Sequence, residues 1–308
     1  MMTVATALTA ATAWGQAFPA KTIRIVTAEP GGGSDLTARL IAQGLSGTIG
    51  QQVIVDNRPG VIAVETVAKA PPDGYAILLS ASMWVAPLFQ PELSYDPVRD
   101  FLPVALAAST PNILVIHPSL PVKSVRELIA LAKSRPGELN YATGTTGSAS
   151  HIAAEKFKSM AAVNMARIPY KNAGPAITAL IGGQVQIMFA TAGSVTPHIK
   201  AGKLKPLGVT SPVPSALLPD LPTVAATGLP GYDANTLFGL FAPAKTPADI
   251  INRLNQEIAR YLNRADTKEK LLSLGVEPTP STAEQWGTIV KSEMDAVSKI
   301  IKASNLRI

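Results

Sequence analysis

The 308-residue chain has no cysteine. That absence excludes disulfide staples, thiol nucleophiles and cysteine-ligated zinc, and leaves the redox compartment open, because a cysteine-free protein suits either side of a membrane. Charge is sparse, at 16% of residues, and the net value of +6 comes from 27 Lys and Arg against 21 Asp and Glu. It does not segregate: Arg253, Glu257, Arg260, Arg264, Asp266, Lys268, Glu269 and Lys270 mix both signs, as on a solvated helix face. No basic run is interleaved with aromatics, so nucleic acid is not an expected partner, while a mildly positive surface suits small anions. No later stretch approaches the roughly 20 apolar residues of a membrane span.

Motifs for chemistry are missing as well. Ser148 and His151 lie close together, but G-x-S-x-G is absent and no acidic third member stands out. His117, His151 and His198 are far apart, without H-E-x-x-H or comparable spacing. The expectation is a non-enzyme with no catalytic residue, metal or cofactor.

What is present is apolar: 47% of the chain, enough for one large domain or two medium ones. Residues 1–17 carry no charge, are rich in Ala and Thr, and end in Gly15-Gln16-Ala17, with small residues where signal peptidase reads. They are expected to be a signal peptide, incomplete at its start because the usual Lys or Arg is missing, with Phe18 opening an exported, soluble mature chain.

From residue 22 the pattern alternates β and α. Strands are expected at 22–28, 53–55 and 75–79, with helical spacing at Leu36, Leu40, Ile41 and Leu45 and a short helix over 63–70. A second series repeats the design, with strands at 139–142, 166–169 and 185–190 and helices at 124–134, 151–160 and 175–181. Such order predicts α/β lobes with mainly parallel sheets. Near residue 110 the chain becomes extended and then meets His117-Pro118-Ser119-Leu120-Pro121, which proline bars from helix. A second proline-rich stretch runs from Leu217 to Tyr232 before an apolar segment over 237–242. Read as two crossings, these place lobe one at 18–116 and 230–308 and lobe two at 117–229. Helices over 247–262, 267–274 and 283–303 finish the chain.

The glycine-rich turn Gly31-Gly32-Gly33-Ser34-Asp35 follows the first strand. It fails G-x-G-x-x-G, since the sixth position is Leu36, and it fails the P-loop, since Gly33 is followed by Ser34. What remains is a helix start capped by Ser34 or Asp35, whose bare N–H groups suit an anion, or an ordinary tight turn. A counterpart, Thr143-Gly144-Thr145-Thr146-Gly147-Ser148-Ala149-Ser150, stands at the matching junction of lobe two, and a third, Ala190-Thr191-Ala192-Gly193-Ser194, opens another helix. Ligands of α/β sheets sit beyond the carboxyl ends of strands, so these turns are expected to share a cleft between the lobes. Ser82, Met83 and Trp84 also follow a strand; for the latter two, core packing and a cleft wall are both open.

The sequence resembles the substrate-binding receptors of the tripartite tricarboxylate transporter system, also called Bug receptors. The resemblance rests on residues 18–24 (FPAKTIR), 30–35, Asn57-Arg58-Pro59-Gly60, 68–75 (AKAPPDGY), Tyr95-Asp96-Pro97, 117–121, 136–141, 147–151, Pro169-Tyr170-Lys171, 182–185, 197–203, 219–223 and Phe238-Gly239. It implies a type II, Venus-flytrap periplasmic binding protein that closes on a small organic carboxylate and delivers it to a two-component membrane transporter, without chemistry. It also implies that the carboxylate is gripped, partly through waters, by Gly31, Gly32, Gly33, Ser34 and Asp35 from one lobe and by Thr143, Thr145, Thr146, Gly147, Ser148 and Ser150 from the other. Ser82, Trp84, Tyr170, Ala190 and Thr191 complete the candidate ligand-binding set. A ligand-sensing module of a signalling system is the alternative, followed by an enzyme acting on a small carboxylate.

Three departures from the family pattern bear on the ligand. Val61-Ile62-Ala63-Val64-Glu65 replaces a glycine-rich segment, which alters one wall. Met188-Phe189-Ala190 lacks the family's common Met-Phe-Asp carboxylate, which disfavours an amino acid. Met83 and Trp84 replace small residues, which favours a narrow pocket or a flat, aromatic acid.

Overall fold

The computed structural model describes residues 18–28, 30–31 and 33–303; the expected signal peptide, Glu29 and Gly32 lie outside the described residues. The first lobe opens with β1 (Ile23–Thr27), α1 (Gly33–Ser46), β2 (Val53–Asn57), α2 (Gly60–Ala68) and β3 (Ala76–Ser80). β1 pairs in parallel with both β2 and β3, because helices carry the chain back between them. A single turn, α3 (Ala86–Phe89), leads to the long strand β4 (Phe101–Thr110). The chain then enters the second lobe through β5 (Asn112–Ile116), α4 (Val125–Ser134), β6 (Asn140–Thr143), α5 (Ala149–Ala161), β7 (Ala166–Pro169), α6 (Ala173–Ile181), β8 (Ile187–Thr191), α7 (Ala192–Lys200), β9 (Lys205–Val209) and α8 (Val224–Thr227). It returns through β10 (Thr236–Pro243), α9 (Ala248–Leu262), α10 (Ala265–Ser273), β11 (Glu277–Pro278) and α11 (Ala283–Ala303).

The first sheet has six strands in the order β11-β4-β10-β3-β1-β2, and the second has five in the order β7-β6-β8-β5-β9. Both are mixed. The βαβ units β2-β1-β3 and β7-β6-β8 are parallel, whereas the strands that carry the crossings, β4 and β10 in one lobe and β5 in the other, pair antiparallel with their neighbours. Among the described residues no helix is long and apolar enough to cross a membrane.

The crossings lie a few residues from where proline punctuation places them. β5 sits between β8 and β9 in the second sheet, so the first crossing is at Pro111 and not after Ile116. The polar stretch Ser109-Thr110-Pro111-Asn112 at the crossing is as buried as the apolar residues on either side, so the lobe boundary falls inside a continuous buried segment. Tyr232 is fully buried in the second lobe, its hydroxyl donating to the Ala153 carbonyl at 2.8 Å, so the return begins near Thr236 and not at Pro230. Asn112 ties the two crossings together. Its N–H donates to Thr210 Oγ1 at 2.9 Å and its Nδ2 to the Ala234 carbonyl at 2.8 Å.

Candidate functional site

At the carboxyl ends of β6 and β8 the second lobe carries a pocket of about 280 Å³, lined by Gly144, Thr145, Ser148, Ala149 and Ser150, by Lys171, Asn172 and Ala173, by Met188, Phe189, Ala190 and Thr191, and by Asn112. Three helix N-termini converge there. Ser148 caps α5 by accepting from the His151 N–H at 3.4 Å, Asn172 caps α6 by accepting from the Gly174 N–H at 3.1 Å, and Thr191 precedes α7. Each helix start presents N–H groups without intrahelical partners and a partial positive charge. No acidic side chain lines the pocket, and Lys171 supplies a cation at its exposed rim.

Of the expected site residues, the structure brings Thr145, Ser148, Ser150, Ala190 and Thr191 to this pocket. Thr143 is fully buried behind them, donating through Oγ1 to the Gly144 carbonyl. Gly147 is left-handed at φ 78°, and lies under the Phe89 ring of the first lobe. Tyr170 packs against the second lobe's core, its N–H bonded to the Thr143 carbonyl. Sequence reasoning missed Asn112, Lys171, Asn172 and Met188. Asn172 left a signal, an N-cap residue before Ala-Gly-Pro; Asn112 left none, because its placement depends on both crossings.

In the first lobe, Gly31 stands at φ 87° and Gly33 opens α1, where a Cβ would lie 2.6 Å from the Phe238 ring. Gly32 is outside the described residues. Asp35 turns inward: at 3% exposure its carboxylate accepts from the Gly31 N–H at 2.9 Å, Asn57 Nδ2 at 2.9 Å and Arg39 Nε at 3.1 Å. Burial by itself raises its pKa, but these hydrogen bonds and the Arg39 charge outweigh it and hold the carboxyl below the usual range. Asp35 therefore builds the turn and is not free to meet an anion. None of residues 31, 33, 34 or 35 lines the second lobe's pocket.

Trp84 takes the core alternative: 3% exposed, it stands edge-on to Trp286 with centroids 5.1 Å apart. One side of it borders a separate crevice between the lobes, where Lys156, Asp233 and Glu293 also lie. Met83 is likewise buried, at 1%. Ser82 is half-buried and starts the turn into α3, its carbonyl accepting from the Val85 N–H.

The loop between β6 and α5 is braced from within. His151 is buried; its Nδ1 accepts from the Gly147 N–H at 3.2 Å, and its ring lies against Phe89 with centroids 5.2 Å apart. Burial first, and the Arg167 charge second, pull its pKa down to about 4. Since an unfolded histidine titrates near 6.5, the unfolded chain takes up the proton first, and stability present above that value is lost as pH falls from about 6.5 to about 4. His151→Gln is expected to flatten that part of a stability profile measured by chemical denaturation; an unchanged slope refutes the assignment.

With this geometry in place, a family model for the tripartite tricarboxylate transporter family receptor matches residues 37–306. The chain belongs to that family. It is a family of receptors and not of enzymes. This receptor is similar to the UPF0065 protein in the tcbD-tcbE intergenic region of Pseudomonas sp. strain P51, at 38% identity over 291 residues, covering 92% of this chain and 87% of that protein. It is similar to BugT of Bordetella pertussis at 35% identity, covering 99% and 96%. Among solved structures it is similar to R. palustris Rpa4515 with adipate, with a TM-score of 0.81, 35% identity and coverage of 94% and 98%. It also matches MatC from Rhodopseudomonas palustris with bound malate, with a TM-score of 0.76, 30% identity and coverage of 92% and 100%. These matches bear out the receptor's family and its two-lobed binding-protein fold.

Proposed function

We propose that the protein is a periplasmic receptor that captures a small organic carboxylate between its lobes and delivers it to a two-component membrane transporter. The observation that carries this reading is the convergence of the α5, α6 and α7 N-termini on one pocket without an acidic side chain. The Thr145 hydroxyl and the mutually hydrogen-bonded Ser148–Ser150 pair supply donors, and each helix end adds on the order of 0.3 to 1 kcal/mol for a negative charge. The absence of a carboxylate at Ala190 leaves nothing there to pair with an ammonium group, which supports an acid without an amine. Adipate and malate, the ligands of two similar structures, are such acids. The turn over residues 31–35 forms the second jaw, reaching the same carboxylate when the lobes close, so ligand shifts an open and closed equilibrium.

Thermal shift against a panel of mono-, di- and tricarboxylates tests the proposal. At an acid concentration a hundredfold above its dissociation constant, stabilisation of about 2.7 kcal/mol is expected. No stabilisation by any acid in the panel sinks it. Ser148→Ala removes both a pocket hydroxyl and the α5 cap; it is expected to weaken binding several-fold at a stability cost of about 1 kcal/mol. Unchanged affinity in calorimetric titration removes Ser148 from the site.

A further inference from the structure

Beneath the 143–150 loop lies a cation that the pocket lining does not include. Arg167 is the second residue of β7, and the parallel register sets it opposite Tyr141 of β6, two residues before the loop begins. Its Nε donates to Thr143 Oγ1 at 2.9 Å, one terminal nitrogen to Thr146 Oγ1 at 3.2 Å, and the other to the Gly144 carbonyl at 3.3 Å. All three acceptors are neutral, and among the described residues Arg167 forms no ion pair. Glu155, the buried acid nearby, is engaged by Lys158 at 2.9 Å and by the Tyr141 hydroxyl. Burial lowers the Arg167 pKa, yet a guanidinium stays protonated in proteins.

We propose that Arg167 is the positioning charge of the carboxylate site: it turns the acceptors of the 143–150 loop inward and makes the loop select an ionised carboxylate over its neutral analogue. This rests on the reading of the pocket as a carboxylate site. The reasoning is one of donors and acceptors. An anion is repelled by carbonyl and hydroxyl lone pairs, and in this loop the Gly144 carbonyl and the Thr143 and Thr146 oxygens are all occupied by the guanidinium. A hydroxyl that accepts a charge-assisted hydrogen bond is polarised by it and becomes a stronger donor through its own proton. The Thr143 proton goes to the Gly144 carbonyl, whereas the proton of Thr146, which stands beside the pocket lining and not in it, has no partner among the described residues. The N–H groups of Thr145 and Thr146 have no backbone partner among the described residues. The loop thus keeps the Thr145 and Thr146 N–H groups and the Thr146 hydroxyl proton without a partner among the described residues, above a guanidinium that forms no ion pair there.

The test compares the wild-type protein with Arg167→Lys and Arg167→Gln, using adipate and its diamide, and malate and its diamide, as calorimetric probes. The wild type should favour each bound acid over its amide. Arg167→Gln should lower acid affinity about tenfold while leaving amide affinity within about twofold, so that the ratio collapses; Arg167→Lys should restore most of it. Equal losses for acid and amide, or equal losses in both variants, would mean that Arg167 only holds the loop's shape, and would overturn the proposal. If the wild type binds neither acid, the receptor reading fails for these ligands. The charge is then read without a ligand, by nuclear magnetic resonance titration of His151. An upward shift of the imidazole midpoint in Arg167→Gln, absent in Arg167→Lys, supports a charge acting on the loop. No shift in either variant overturns it.

Discussion

Replacing Asp35 with alanine is expected to destabilise the first lobe by about 3 kcal/mol, since hydrogen bonds to a buried charge contribute about 1.5 to 3 kcal/mol each and are not additive. The carboxylate joins three segments: the Gly31 N–H in the β1–α1 turn, Arg39 one helical turn along α1, and Asn57 at the end of β2. Asn57 in turn donates to the Ala28 carbonyl at 2.8 Å and accepts from Arg39 at 3.0 Å, so the network closes on itself. Alanine removes the acceptor that joins them: Asn57 keeps its bond to Ala28 and Arg39 its bond to Asn57, but the turn loses its tie to both. Denaturant unfolding measures the loss, and a change below about 1 kcal/mol would show that the network does not hold the turn. Because the carboxyl's pKa is lowered on folding, this contribution is complete above the unfolded value near 3.8 and fades as pH falls through the folded one. Carboxylate affinity should fall with it, if residues 31–35 form a jaw.

The second large effect is expected at Trp286, where truncation to alanine should cost about 3–5 kcal/mol. Its ring is fully buried between Trp84, 5.1 Å away at 86°, and Phe241, 5.5 Å away. Gly239 of β10 permits this: a Cβ there would lie 2.0 Å from the ring, so the strand and α11 touch only because that side chain is missing. The alanine variant opens a cavity that the rigid β10 cannot close. Differential calorimetry should show a much lower melting temperature, while binding below that temperature persists, because the second lobe's pocket does not include the ring. A loss of less than about 1 kcal/mol would contradict the packing described.

The βα alternation was legible because buried parallel strands read as short apolar runs and helices repeat every three to four residues. The expected strand over 166–169 coincides with β7, and the expected helix over 124–134 differs from α4 only in counting its cap, Ser124. β4 and β9 were not anticipated. Phe101–Thr110 is buried on both faces and contains Pro103, so neither alternation nor a clean apolar run announces it. The loops at 143–150 and 190–194 were found from glycine and hydroxyl content at strand ends. Lys171 and Arg167 were not, because nothing in a local pattern distinguishes a cation aimed at a loop from one in solvent.

What the chain determined by composition alone is the type of chemistry it lacks: without cysteine, histidine clusters or nucleotide spacings, it has polar, glycine-rich turns with which to hold a small ligand and little with which to transform one. The order of its apolar runs also determined the two α/β lobes. Tertiary structure decided the rest. The parallel register of β6 and β7 brings Arg167 beneath residues more than 20 positions away, and the same sheet gathers three helix ends on one pocket. It turned Asp35 inward and buried Trp84 against Trp286, because donors and apolar surface were waiting there. Whether a polar residue faces a ligand or its own backbone depends on which partners the fold delivers, and those partners come from distant parts of the chain.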